Sequence, residues 1–406
     1  MKKIYFLLIA IFIINFANGQ WVSQNSGTLR ELYSVYFVNT NLGYAVGESD
    51  VTGSLDFKGI ILKTTNGGTT WTNISSSYNG YLYSVYFINA SLGYACGESG
   101  VMLKTTNGGM SWTSQNSGTT DDIKSIRFID ANIGYGCTVN NSVLKTTNGG
   151  TNWTVLSTGT SSSLTSICVL NANIIYLNCG NQFILKSTNG GLNWTTLFTG
   201  ATQPLIDIYF TDTITGYAVG DYGIIMKTID GGTSWTSQTS GTNENLNDVF
   251  FADVNTGYII GYDVSGVNSI VLKTINGGTT WTTQNLNTNN HLSDIYFANL
   301  NIGFIVGALG TILKTTNGGV ASIQEIPENN NKFLVFPNPV INELTIEMIG
   351  NKEKVSFEIY NSIGLSIYKG NLIEKTTVQT SSFAPGVYII KLNNGKIFEF
   401  KKIVKE

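Results

Sequence analysis

Histidine and arginine are nearly missing from this chain of 406 residues: His291 stands alone, and Arg30 and Arg127 are the only arginines. A nucleophilic site with an imidazole base would have to rest on His291, which sits in the polar run 289–291 and reads as surface loop. The four cysteines are too few for a disulfide framework and contain no CxxC pair; with one histidine, no zinc site is expected. Cys96 and Cys137 occupy a repeated position held elsewhere by Val46, Val219, Ile260 and Val306, so they read as small buried hydrophobes. Whether Cys168 and Cys179 pair is left open by the sequence. Basic charge is also scarce: residues 20–331 carry 11 Lys/Arg against 19 Asp/Glu, and beyond one repeated lysine only Arg30, Lys58, Lys124 and Arg127 remain. A nucleic-acid footprint needs a clustered basic face, so nucleic acid is excluded as a partner.

Long apolar runs are missing too, apart from residues 4–14. That run follows Met1-Lys2-Lys3 and precedes the small-residue site Ala17-Asn18-Gly19, which reads as a signal peptide over residues 1–19. It is too short to span a bilayer, which takes roughly 20 residues. A soluble, exported protein with no transmembrane segment is expected. With 42% apolar and 12% aromatic residues, the chain has ample material for a core.

What the chain has in abundance is one phrase. Lys63-Thr64-Thr65-Asn66-Gly67-Gly68-Thr69-Thr70-Trp71 returns with its lysine at 104, 145, 186, 227, 273 and 314, steps of 41, 41, 41, 41, 46 and 41. The full copies carry Asn66/Trp71, Asn107/Trp112, Asn148/Trp153, Asn189/Trp194, Asp230/Trp235 and Asn276/Trp281; the last keeps Asn317 without a tryptophan. A period of about 40 residues with strand-like content belongs to radial β arrays. Each unit divides into four short strands, of which the first alternates as Val/Ile-x-Phe and the second opens on Gly-Tyr. The Asn-Gly step is expected to place both of its residues at positive φ in a tight turn. Trp21 opens residues 21–28, which repeat residues 112–119 at all but one position, so an outer strand stands ahead of the first unit. It is expected to complete the last blade, predicting an all-β seven-bladed propeller over residues 20–321, closed by the N-terminal strand.

The phrase Thr64-x-Asn66-x-Gly68-x-Thr70-Trp71 resembles the Asp-box, with Asn in place of Asp in all copies but Asp230. Its side-chain oxygen is suited to hold turn amides, and the Trp to plate the turn, a folding role rather than a catalytic one. The wider repeat is similar to the propellers of photosystem II stability and assembly factors, which assist assembly by binding proteins through basic surface. This chain has almost no free arginine, and no photosynthetic role is implied. After a polar linker, residues 322–331, the segment 332–406 turns basic, with 10 Lys/Arg to 7 Asp/Glu. Phe336-Pro337-Asn338-Pro339, then residues 355–364 ending at Gly364, then Pro385-Gly386-Val387-Tyr388, resemble the C-terminal sorting domain of the type IX secretion system. The residues alone predict a small C-terminal β-sandwich; the resemblance implies the type IX machinery as a partner and an address outside the cell.

Two functions follow. The first is a non-catalytic binding scaffold with an unknown glycan or protein ligand and no cofactor. The alternative is a secreted glycoside hydrolase on a neutral polysaccharide. A sialidase-type clamp needs three arginines and fails on count. The acids Asp50, Asp56, Asp221 and Asp263 show no spacing that sets them apart from solvated loop residues. Insertions fall between the second and third strands of the first unit (residues 49–58) and the sixth (residues 262–269), on one face. They offer Asp56, Phe57, Lys58, Tyr262 and Asp263 as candidate ligand-contact residues.

Overall fold

The structure, a computed structural model, describes residues 21–48, 59–75, 80–263, 268–286, 288–319, 333–348, 354–361, 365–393 and 398–406. The expected signal peptide, the linker, Asp50, Asp56, Phe57, Lys58 and Gly364 lie outside these residues. Among the described residues there is no α-helix, and none is long and apolar enough to cross a membrane. The chain divides into two compact units, Met1–Ser322 and Ile323–Glu406.

The first unit contains seven four-stranded antiparallel sheets among the described residues, an all-β arrangement of propeller type. In six of them the strands follow chain order, as in Leu32–Phe37, Gly43–Glu48, Gly59–Thr64 and Thr72–Asn73 of the first. The seventh is made of Leu292–Phe297, Gly303–Gly307, Thr311–Thr315 and, on its outer edge, Val22–Gln24 from the start of the chain. Val22 pairs with Lys314 in the same register in which Thr72 pairs with Lys63 and Thr113 with Lys104. Trp21 is fully buried, its ring edge-on to Phe297 at 5.8 Å and 82°, as Trp71 stands to Phe37 at 5.9 Å and 89°.

Adjacent sheets meet through the first strands, and Leu292–Phe297 of the seventh lies against Leu32–Phe37 of the first. The interfaces are aromatic: Tyr44 stacks on Phe87 at 3.7 Å, Tyr94 on Phe128 at 3.9 Å, and Phe304 of the seventh sheet on Phe37 of the first at 3.7 Å. Such stacks add about 0.5–1.5 kcal/mol each to the apolar burial. The Gly of the Gly-Tyr step makes room for them: a Cβ on Gly43 would sit 2.4 Å from the Phe37 ring.

The repeated lysine ties sheet to sheet. Lys63 Nζ donates to the carbonyl of Gly108 in the next turn at 2.6 Å, Lys104 to Gly149 at 2.6 Å, and so on to Lys314, which donates to Gly67 of the first sheet at 2.6 Å. Tyr44 and Tyr94 hydroxyls donate to the same two carbonyls, at 2.9 and 2.8 Å. The repeat therefore uses its cation to bind a backbone acceptor on the neighbour rather than to face a ligand.

The second unit has a three-stranded sheet (Phe333–Phe336, Glu343–Met348, Lys375–Gln379) and a four-stranded one (Ser366–Leu372, Val355–Tyr360, Gly386–Asn393, Phe398–Lys405). Both contribute to one core, in which Phe333, Leu344, Ile346 and Val378 meet Phe357, Ile359, Ile390 and Ile403. Pro337 and Pro339 are exposed and follow cis peptide bonds. Asn338 between them donates from Nδ2 to the Lys402 carbonyl at 3.0 Å and accepts from Val404 N at 2.8 Å, anchoring the segment to the last strand. Gly386 has φ +153, and the Tyr388 hydroxyl donates to the Ala384 carbonyl at 2.7 Å.

Candidate functional site

The Asp-box residues are turn anchors. Asn66 Oδ1 accepts from the amide of Thr70 at 2.9 Å and from the Thr64 hydroxyl at 3.0 Å, and Gly68 N donates to Thr64 Oγ1 at 2.9 Å. Asn107, Asn148, Asn189, Asp230 and Asn276 hold the corresponding amides at 2.9–3.0 Å, and Asn317 accepts from Thr315 at 2.9 Å. The turn differs from the expectation in one respect: both glycines, Gly67 (φ +65) and Gly68 (φ +85), take positive φ, while Asn66 does not. The asparagine's role is acceptor, and the left-handed steps fall to residues without a Cβ. Asp230 does the same with a charge; the Ser234 hydroxyl and amide and the Thr228 hydroxyl lower its pKa to about 2. Trp112, Trp153 and Trp281 are buried, and Trp71, Trp194 and Trp235 half-buried, against the sheets.

Chemistry that varies from sheet to sheet collects at the opposite end of the strands. The start of each first strand pairs with the end of the second, as Leu32 does with Gly47, so the second-to-third-strand turns emerge there. Tyr262 closes the second strand of the sixth sheet and lies 4.6 Å from the His291 ring. His291 Nδ1 is 3.3 Å from Glu31 Oε1, and the Ser293 hydroxyl donates to the same oxygen at 3.0 Å. The His291 contact is the main reason the Glu31 carboxyl is held below its ordinary pKa. Asp263 accepts from Asn268 Nδ2 at 2.7 Å. Beyond Glu31 the series continues: Tyr33 donates to Glu48 at 2.5 Å and its ring is 5.5 Å from Tyr83, over which Lys124 Nζ sits at 3.8 Å, 3.2 Å from Asp122. A belt of half-buried aromatic rings and carboxylates thus runs from the sixth sheet through the seventh, first and second to the third.

The turn tips on this face are unusual. Ser99, Tyr222 and Leu309 stand at φ +53, +55 and +54, and Tyr222 and Leu309 remain 59% and 62% exposed. A left-handed tyrosine or leucine costs roughly 1 kcal/mol or more and is concentrated at functional sites. Of the five sequence-derived contact candidates, Tyr262 and Asp263 are on this face.

Below it lies a cavity of about 230 Å³ on the axis shared by the sheets. Six of the first strands carry a β-bulge, for example between Leu32 and Ser34 and between Leu246 and Asp248. The bulge brings the residue after it to the axial side, and alternation brings there the residue two further on. The upper layer is Ser34, Ser84, Ser125 and Ser166, then Asp207, Asp248 and Asp294. The lower layer is Tyr36, Tyr86, Arg127, Cys168, Tyr209, Phe250 and Tyr296. Its aromatic members form a collar with ring centroids 4.9 Å apart for Tyr86–Tyr36 and Tyr36–Tyr296, 5.3 Å for Tyr296–Phe250 and 5.5 Å for Phe250–Tyr209.

In the upper layer each aspartate accepts the inner-strand amide of the next sheet: Val249 N to Asp207 at 3.0 Å, Ile295 N to Asp248 at 2.8 Å and Val35 N to Asp294 at 2.7 Å. Burial, then the neighbouring charges of Asp294 and Asp207, push the pKa of Asp248 well up. Arg127 lies deep in the unit, yet its side chain keeps free surface because it faces the cavity. Burial disfavours its charge, but Asp294, Tyr86, Asp207 and Asp248 outweigh that and raise its pKa. The four cysteines are all free; Cys96, Cys137 and Cys179 are buried, and Cys168 reaches the cavity wall.

No sequence reading singled out Asp207, Asp248, Asp294 or Arg127 as site residues. The signal was present as spacing: the aspartates are 41 and 46 residues apart, matching the lysine steps, where the earlier repeats have serine.

Residues 334–406 match the family model of the secretion system C-terminal sorting domain, and residues 194–289 that of the photosynthesis system II assembly factor YCF48. Both resemblances seen in the sequence are thereby matched. Among curated protein sequences nothing matches this chain. Among solved structures, "YCF48 bound to D1 peptide" is similar at TM-score 0.62 and 19% identity, over 73% of this chain and 97% of that one. YCF48 from Cyanidioschyzon merolae gives 0.60 and 21%, over 73% and 98%. The GH74 xyloglucanase from Xanthomonas campestris gives 0.59 and 11%, over 82% and 60%. At these identities the likeness is one of fold.

Proposed function

We propose that this chain is an exported, non-catalytic binding protein: a seven-bladed propeller, closed by its N-terminal strand, that recognises a neutral glycan on the face carrying the second-to-third-strand turns. The observation that carries the reading is the belt on that face, from Tyr262, His291 and Glu31 to Tyr33, Tyr83 and Lys124. Aromatic rings beside carboxylates suit sugars, whose C–H faces pack on rings and whose hydroxyls donate to carboxylates. Support for closure comes from Val22–Gln24 on the edge of the seventh sheet and from the Lys314–Gly67 bond. The sorting-domain match supports export through the type IX system, with secretion or cell-surface display as the destination.

Binding is favoured over hydrolysis by the state of the carboxylates. Glycosidases hold two carboxyls about 5–9.5 Å apart with water or sugar between them, whereas the carboxylates of the belt are each held by a neighbouring side chain, Glu31 by His291 and Ser293, Glu48 by Tyr33 and Asp122 by Lys124. The test is a glycan array with the purified full chain, followed by titration of any hit against Tyr33→Ala and Tyr262→Ala. The expected result is a neutral oligosaccharide bound at least tenfold more weakly by both variants. Release of reducing sugar from such a ligand would replace this reading with the hydrolase one.

A further inference from the structure

The axial cavity is chemically built, and its groups exceed what the fold requires of them. In the first and second sheets the inter-sheet bond is made by a serine hydroxyl: Ser34 Oγ accepts from Val85 N at 3.4 Å and Ser84 Oγ from Ile126 N at 3.3 Å. Aspartate on the fifth, sixth and seventh sheets makes the same bond with Oδ2 and brings a second carboxyl oxygen that the bond does not need. Arg127 is the counterpart on the third sheet. It stands where five other sheets carry a ring, donates one hydrogen bond from Nη1 to the Ile126 carbonyl at 2.9 Å, and forms no ion pair within 4 Å among the described residues. A guanidinium has five N–H donors, and those of Arg127 that the Ile126 carbonyl does not take face the cavity, where an anionic group can accept them.

Opposite charges are therefore set on different sheets, around a space walled by Tyr36, Tyr86, Tyr209 and Tyr296, without touching each other. At ~30 Å³ per water, 230 Å³ is room for about seven or eight waters or one small organic molecule. We propose that this cavity binds a small zwitterion of α-amino-acid type, its carboxylate on Arg127 and its ammonium on the carboxylates of Asp207 and Asp294. The tyrosine collar encloses the ligand's body and favours the cationic end through its ring faces. This site is separate from the glycan face and does not depend on it.

The probes are the free L-α-amino acids, each compared with its α-amide and N-acetyl derivative, measured by thermal shift and calorimetry on the full chain. The variants are Arg127→Tyr, Asp207→Ser and Asp294→Ser, each of which installs the residue other sheets already use and so preserves the inter-sheet contacts. At least one free amino acid should raise Tm saturably with one site per chain, and its single-charge derivatives should bind tenfold or more weakly. Arg127→Tyr should abolish the preference for the free carboxylate over the amide, and the serine variants the preference for the free amine over the N-acetyl form. Tyr262→Ala should leave this binding unchanged. The proposal is overturned if no amino acid binds saturably, if single-charge derivatives bind as well as zwitterions, or if Arg127→Tyr binds like the parent.

Discussion

Replacing Trp21 with alanine tests the proposed closure by the N-terminal strand. The side chain is fully buried, edge-on to Phe297, in a cluster with Tyr258, Ile260, Val271, Leu292, Ile295 and Leu313. Truncating a buried tryptophan costs about 3–5 kcal/mol through lost transfer energy and the cavity left behind. Trp112 in the second sheet has the same edge-to-face partner geometry, 5.9 Å and 86° to Phe87, and differs in being covalently continuous with its own sheet. Trp112→Ala should therefore destabilise by a similar amount while leaving the ends joined. Trp21→Ala should add a second effect: with its anchor gone, the three-residue strand Val22–Gln24 is held by backbone pairing alone. At ~2–4 °C per kcal/mol for a unit of this size, both variants should melt roughly 6–20 °C below the parent in calorimetry. Limited proteolysis should cleave within residues 22–30 only in Trp21→Ala. A Trp21→Ala protein within about 0.5 kcal/mol of the parent, with an uncut N-terminus, would refute the closing role of this strand.

Acidity offers a second handle. Because Asp248 has a raised pKa in the folded state, its contribution to stability is fully present below the unfolded value of 3.8 and is lost as pH rises through the folded pKa. Asp248→Asn keeps an acceptor for Ile295 N and removes the titration, so the Tm of the variant relative to the parent should rise from pH 4 to pH 7; a flat difference contradicts the raised pKa of Asp248. Asp230 has the opposite sign: its pKa of about 2 supplies stability above 3.8 that is lost as pH falls through about 2. Asp230→Asn should therefore match the parent more closely at pH 2.5 than at pH 5, in paired melts. Lys314→Met removes a charged hydrogen bond to Gly67 and should cost about 1–2 kcal/mol in denaturant unfolding, as Lys104→Met should for Gly149. Burial raises all four thiols, Cys137 to about 12, so a thiol reagent at pH 8 should modify the native chain far more slowly than the unfolded one.

The architecture was legible in the sequence because its devices recur. Lysine, Asn-Gly-Gly and tryptophan repeat at one spacing since every sheet needs the same bond to its neighbour, the same left-handed turn and the same plate; Trp21 stood out because it broke the count. The axial cluster was not legible by alternation alone. The bulge between residues such as Leu246 and Asp248 breaks the period of two, so a strict in–out reading beginning at Leu246 assigns Asp248 to the wrong side. The face belt was partly legible, through the insertion that begins at Tyr262. Glu31, Tyr33, Tyr83 and His291 converge only because the sheets are arranged around a common axis, which no local pattern encodes.

In the proposed function, recognition belongs to the variable face and the stability of the sheets to the repeated motif. The most direct measurement is a paired one: glycan affinity by calorimetry and Tm by differential scanning, for Tyr33→Ala and Tyr262→Ala against Lys104→Met and Asn107→Ala. The tyrosine variants should lose at least tenfold in affinity with Tm little changed, while the motif variants should lose Tm and keep the affinity of the folded protein. Motif variants that weaken glycan binding at unchanged Tm, with tyrosine variants binding like the parent, would contradict it.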